Sequence, residues 1–301
     1  MAFDADAVLD RRRLKRRLRR WRVAAVVALV ALVGVAASEF GALPERPYVA
    51  RLDLEGVILD ERRLEEKLAE LAEDRAVRAL ILRVNSPGGT TTGAEMVYRG
   101  LRRIAERRPT VAVMGTVAAS GGYLAALAAD HLLARETTIT GSIGVAMETV
   151  EVTRLLDKLG VTPLSFKSSP LKAQPNPLEP LAPGAREATQ ALVDDTYEWF
   201  LDLLIERRGL EREAARKLAD GRVYTGRQAV ANKLIDGLGG ESEARAWLAS
   251  REVPVGLPVR DVKLRGRAES WLEDMLGRAQ KVLLPERHSL DGLTSLWHPS
   301  R

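Results

Sequence analysis

From Ala50 on, apolar and polar residues alternate in Tyr48-Val49-Ala50-Arg51-Leu52-Asp53-Leu54, the period of a strand with two distinct faces. Over residues 60–73 the spacing changes to Leu64, Leu68 and Leu71 with charges between them, which predicts an amphipathic helix. Residues 77–84 then read as a second strand, 93–107 as a second amphipathic helix, 110–114 as a third strand and 131–134 as a fourth, short one. A Pro-rich stretch covers 170–183, and long helices are expected over about 185–207 and 212–219. Strands alternating with helices imply βαβ units, a parallel sheet and an α/β fold. Sites in such sheets form beyond the carboxyl ends of the strands.

Two glycine-bearing segments lie at such ends. Asn85-Ser86-Pro87-Gly88-Gly89 follows the second strand and reads as a turn. Ala118-Ala119-Ser120-Gly121-Gly122-Tyr123 follows the third and opens a helix. A serine there sits among small neighbours beside the free N–H groups and positive dipole end of a helix. Such a place stabilises an alkoxide or the oxyanion it generates. The same two segments also suit a tightly packed turn of small residues and a plain β-turn.

A hydroxyl nucleophile needs a base. The chain has three histidines: His131 enters the fourth strand, and His288 and His298 stand in a polar, Pro-containing tail. None has a promising context. The absence of cysteine removes thiol catalysis, disulfides and cysteine-ligated zinc. A base is then to be sought among the lysines. A lysine works as a base only when neutral, and an ordinary one is neutral only near pH 10.4. Dry surroundings without a carboxylate lower that value. The segment 168–176 contains no acid and carries Pro170, Leu171 and Pro175.

Charge alters the picture at the N-terminus. Residues 1–37 hold nine basic side chains, Arg11 to Arg22, against Asp4, Asp6 and Asp10, a surplus of six. The whole chain carries +5, so residues 38–301 together carry −1 and offer no basic surface for nucleic acid. Trp21 and an apolar run over 23–37 follow the basic cluster. That pattern predicts a segment held with its N-terminus in the cytoplasm and the rest exported. Fifteen helical residues reach about 22 Å, short of the roughly 30 Å of a bilayer core. Val35-Ala36-Ala37 also fits a signal cleavage site. A retained anchor is the favoured reading. Residues 1–22 are thus expected to be cytoplasmic, 23–43 an anchor and linker, 44–250 the globular domain, and 251–301 an extension with an amphipathic helix around Trp271, Leu272, Met275 and Leu276. A membrane-surface role for that helix is an alternative.

Five motifs in one order carry a resemblance: the two segments above, Thr140-Gly141-Ser142-Ile143-Gly144, Lys167-Ser168-Ser169-Pro170-Leu171-Lys172, and Asp220-Gly221-Arg222-Val223-Tyr224-Thr225-Gly226-Arg227-Gln228-Ala229. Over about residues 48–245 the chain resembles the bacterial signal peptide peptidases, or protease IV, in their short single-domain form. The resemblance implies a Clp/crotonase-like fold of repeated ββα units, with a parallel sheet and peripheral helices behind one transmembrane or signal-anchor helix. It implies a membrane-bound serine endopeptidase of the inner membrane, with its catalytic domain outside the cytoplasm. Ser120 takes the position of the nucleophile, Lys172 that of the general base and Ser142 that of the serine holding the lysine amine. The backbone N–H groups of Gly89 and Gly121 take the oxyanion hole, and Gly88, Gly122 and Ile143 are expected to line the substrate. Ser169 and Pro170 depart from the family pattern, where glycine often stands at 169. No metal or cofactor is implied. The implied partners are signal peptides and other apolar peptides, the lipid bilayer and further copies of the chain. Sites in such assemblies are often completed between neighbouring subunits, and the sequence leaves open whether the dyad is formed within one subunit or between two. Two rival readings share the fold. One is a catalytically silent membrane scaffold, and the other a crotonase-like acyl-CoA enzyme, which would need a carboxylate at the oxyanion hole and no export segment.

Overall fold

The computed structural model describes residues 15, 17–30 and 46–263. Two compact units, 1–47 and 48–301, are distinguished. In the first, residues 17–30 are helical. Among the described residues no helix is long and apolar enough to cross a membrane. The rest of the expected anchor, 31–43, and the expected amphipathic helix near Trp271 lie outside the described residues.

The second unit runs β1 (Tyr48–Ile58), α1 (Arg62–Glu73), β2 (Val77–Gly89), α2 (Thr91–Ala105), β3 (Thr110–Ala119), α3 (Gly121–Leu127), β4 (His131–Ala134) and β5 (Ile139–Gly141). There follow α4 (Thr153–Lys158), α5 (Ala185–Arg208), α6 (Arg212–Leu218), β6 (Val223–Thr225), α7 (Gly226–Ala231), β7 (Gly237–Leu238), α8 (Glu241–Ser250) and β8 (Val259–Asp261). The strands form one sheet in the order β6-β5-β3-β2-β1-β8, with β4 joined to β3 and β7. Every pairing is parallel except β5 with β6.

Alternation along the strands divides the core. Ala50, Leu52, Leu80, Leu82 and Ala112 pack with residues of α1, α2, α3 and α5. Val49, Ala79, Ile81, Val111 and Leu133 face the other way, against Ala244 and Leu248 of α8. Both faces are covered, which explains the unbroken apolar run Ala79-Leu80-Ile81-Leu82. The edge strand β8 pairs with β1, so the sheet takes in residues 259–261 from what the sequence suggested was an extension beyond the domain.

Irregularities line up across the three central strands. The register slips between Glu55 and Val57 where β1 meets β2, and between Val84 and Ser86 where β2 meets β3. Asn85 seals the second slip, its Oδ1 accepting from the Val117 N–H at 3.2 Å. Before this level β3 pairs with β4, and beyond it with β5. Each central strand is thus irregular at one level and is followed by a helix. Bulges of this kind re-aim the chain, and they often lie beside functional sites. Asn85-Ser86-Pro87-Gly88-Gly89, expected to be a turn, is instead extended, with Gly88 and Gly89 opposite Val57 and Ile58. Pairing with β1 outweighs the local turn preference of Pro-Gly.

Candidate active site

Ser120 stands at the junction of β3 and α3 with φ 52° and ψ −122°. A non-glycine residue there carries strain of about 1–3 kcal/mol, which the surrounding contacts must hold in place. They do so from both sides. The Ser120 N–H donates to the Gly141 carbonyl at 2.8 Å, and the Ser120 carbonyl accepts from the Leu124 N–H at 2.9 Å. Tyr123, fully buried, pins α3 from beneath by donating its hydroxyl to the Leu234 carbonyl at 2.7 Å. The Ser120 side chain makes no cap hydrogen bond to its own helix, so its hydroxyl is not spent on ending the strand.

The end of β2 presses against this junction. A Cβ placed on Gly88, where φ is 110°, would meet Gly121 N at 2.9 Å and Ser120 Cβ at 3.0 Å. A Cβ on Gly121 would lie 3.4 Å from Gly89 N. The backbones of Gly88-Gly89 and Ser120-Gly121 therefore touch, which puts the two expected oxyanion donors at one place. Ser86, fully buried, supports the approach by accepting from the Gly88 N–H at 3.1 Å. Gly122 lies behind the site, where a Cβ would come within 2.6 Å of the Ser86 carbonyl oxygen.

On the other side β5 runs beside the end of β3, with Ala119 opposite Gly141. Ser120 and Ser142 are thus the next residues on adjacent parallel strands. Ser142 also has a left-handed backbone, φ 49°, and its N–H donates to the Arg222 carbonyl at 2.8 Å. That carbonyl belongs to the fifth motif, which forms β6 and buttresses β5. Thr140, fully buried, ties β5 to β3 by donating Oγ1 to the Ala118 carbonyl at 2.6 Å.

A cavity of about 270 Å3 opens at Ser120. Gly89 and Gly121 line it together with Thr90, Thr91, Ala94, Leu124, Val145 and Phe200, a wall of mixed polar and apolar surface. It shares Thr91, Val145, Ala146 and Trp199 with a second cavity of about 570 Å3 between α2 and α5. Ile143, expected to contact substrate, is fully buried in the core. Alternation along this segment turns its side chain inward, and the cavity wall is made by Gly144, Val145 and Ala146 instead. Trp199 and Phe200 had no distinguishing signal in the sequence, because on α5 they read as ordinary apolar helix positions.

Lys172 is not among the groups brought to Ser120 within one chain. It is exposed, in a turn where its N–H donates to the Ser169 carbonyl at 3.1 Å. Among the described residues its amine has no hydrogen-bond or ion-pair partner. The stretch 145–184 contains no buried residue among the described residues. It displays Phe166 97% exposed and Leu164 81% exposed, with Val150, Leu155, Leu159 and Leu178 also open.

His131 lies at the opposite end of the sheet. It pairs with Val111 at the start of β3, nine residues before Ser120 and roughly 30 Å away along the strand. Its ring stacks on Trp247 at 4.9 Å, and burial pushes its pKa below the ordinary value despite Asp236 nearby. It cannot serve Ser120.

The family described as peptidase family S49 matches residues 102–255. A Synechocystis protein provisionally named as a protease is 37% identical over 206 residues, 68% of this chain and 74% of its own length. An Enterococcus faecium protein provisionally named as the signal peptide peptidase SppA is 33% identical over 217 residues, 71% of this chain and 63% of its own length. Among solved structures, a ClpP1 mutant from Listeria monocytogenes aligns at 15% identity and a TM-score of 0.44, over 63% of this chain and 91% of that one.

Proposed function

This chain belongs to peptidase family S49 and is a serine peptidase, and on that premise we propose that it is a membrane-anchored endopeptidase that cleaves apolar peptides, released signal peptides among them. Ser120 is the nucleophile and Lys172 the general base. Ser142 orients the lysine amine, and the N–H groups of Gly89 and Gly121 form the oxyanion hole. The observation that carries this reading is the strained backbone of Ser120, held against the Gly88-Gly89 strand end at the mouth of a cavity.

The chemistry follows from these assignments. Lys172 Nζ takes the proton from Ser120 Oγ as the oxygen attacks the peptide carbonyl. The two glycine N–H groups receive the negative charge that develops, each donor worth about 3 kcal/mol in such sites. The Lys172 ammonium returns its proton to the departing amine and leaves an ester on Ser120. Water, deprotonated by the same amine, then attacks the ester carbonyl, and the bond to Ser120 Oγ breaks as that oxygen takes the proton back from the ammonium. The apolar wall formed by Ala94, Leu124, Val145 and Phe200 suits an apolar side chain beside the scissile bond. Peptides bind extended along Gly144 to Ala146, in the manner of an added strand.

Lys172 reaches Ser120 from a neighbouring copy of the chain. An apolar arm without a buried residue is a surface that another subunit covers. The basic and apolar segments over 11–37 support an N-terminus in the cytoplasm and a catalytic domain outside it. Labelling of the full-length protein with a fluorophosphonate, followed by peptide mapping, tests the assignment. An adduct on Ser120, absent in Ser120→Ala and in Lys172→Ala, is expected. An adduct that survives Ser120→Ala rules out the nucleophile.

A further inference from the structure

The arm that carries Lys172 has no hydrophobic core, so its shape must come from polar contacts. These converge on one carboxylate. Glu179 accepts from the Lys167 ammonium in an ion pair, from Gln174 Nε2 at 3.0 Å, and from the Ser165 side chain. Lys167 and Glu179 are both largely shielded, with side chains 15% and 26% exposed. Hydrogen bonds from Lys167 and Ser165 hold the Glu179 carboxyl below the ordinary range.

The placement of these partners is what matters. Ser165 and Lys167 precede the turn that carries Lys172, and Gln174 follows it. Within the turn, the Gln174 N–H donates to the Leu171 carbonyl at 3.2 Å, and Asn176 Nδ2 donates to the Ala173 carbonyl at 2.8 Å. Gln174 Oε1 is buried without a partner, so its amide is held by the Nε2 bonds alone. One carboxylate thus clasps both flanks of a six-residue turn whose other contacts are local hydrogen bonds. Lys167 is occupied by the same contact, which leaves Lys172 as the unpaired amine of the turn.

We propose that Glu179 is a positioning residue for catalysis: by joining Lys167 to Gln174 it sets the turn from which Lys172 reaches the serine. This rests on the assignment of Ser120 and Lys172 above. The function of the clasp is to fix where the amine ends, not to touch substrate. Misplacing a catalytic group by about 1 Å costs roughly 10²-fold in rate.

The test compares Glu179→Ala, Glu179→Gln and the charge exchange Lys167→Glu with Glu179→Lys in the full-length protein. Three quantities are read: the rate of fluorophosphonate labelling at Ser120, kcat and KM for an apolar peptide, and thermal stability with oligomeric state. Glu179→Ala is expected to slow labelling and lower kcat by about 10²-fold while KM stays within about twofold. Glu179→Gln, which can still accept from Gln174, should lose less, and the charge exchange should recover most of the rate. Wild-type labelling in Glu179→Ala overturns the proposal, as does a raised KM with unchanged kcat. If Glu179→Ala fails to assemble, an assembled charge exchange that stays as slow as Lys172→Ala also overturns it. Should Ser120→Ala or Lys172→Ala keep labelling, the failure lies in the dyad assignment and not in the clasp.

Discussion

Gly89 and Gly121 serve the same proposed purpose under different constraints. A Cβ on Gly89 would lie 1.9 Å from the Ile58 carbonyl oxygen, a clash that only movement of β1 relieves. A Cβ on Gly121 would meet the Ala94 methyl at 3.1 Å and Gly89 N at 3.4 Å, which a small shift accommodates. Gly89→Ala is therefore expected to destabilise by about 3 kcal/mol or more, read as a sharp loss of melting temperature. Gly121→Ala should melt within a few degrees of wild type yet lose about 10²-fold in kcat/KM, because its methyl crowds the oxyanion donors. A folded Gly121→Ala of full activity would speak against the hole. These glycines were visible in the sequence as a pattern, and the contacts supply the reason for each. The inward turn of the Ile143 side chain was not legible, because it follows a strand of only three residues, too short for its alternation to show which side chain turns inward.

At the scale of elements, β1, β2, β3 and helices α1 and α2 were legible because their apolar spacing runs long enough to reveal a period. β5, β6, β7 and β8 were not, since two or three residues carry none. Yet β5 and β6 position Ser142 and hold the Ser120 N–H. The aligned bulges were equally hidden, because register between strands is a property of pairs and not of one strand's composition. The join between β3 and β5 rests on the Thr140 hydroxyl as well as on backbone pairing. Thr140→Val, of similar shape, removes a buried hydrogen bond and is expected to cost about 1–3 kcal/mol. Thr140→Ser should keep the bond and stay closer to wild type. Melting curves of the two variants decide this, and equal curves would mean that the hydroxyl contributes nothing.

For the molecule as a whole, the sheet brings Ser120, Ser142, Gly89 and Gly121 to one rim, while the arm from 145 to 184 stands clear of the core. The motif that contains Lys172 was recognisable by its resemblance to the family, but nothing in the sequence could reveal that its own chain leaves it exposed. That exposure, together with the apolar side chains of the arm, is the reason for assigning the dyad to two subunits. A head-to-tail ring satisfies this requirement for every copy at once. The most direct measurement co-assembles Ser120→Ala and Lys172→Ala chains, each inactive alone, in equal amounts, and follows hydrolysis of an apolar peptide. A dyad shared between neighbours restores about a quarter of the wild-type sites by random mixing in such a ring. A mixed assembly as inactive as its two parents would contradict the account.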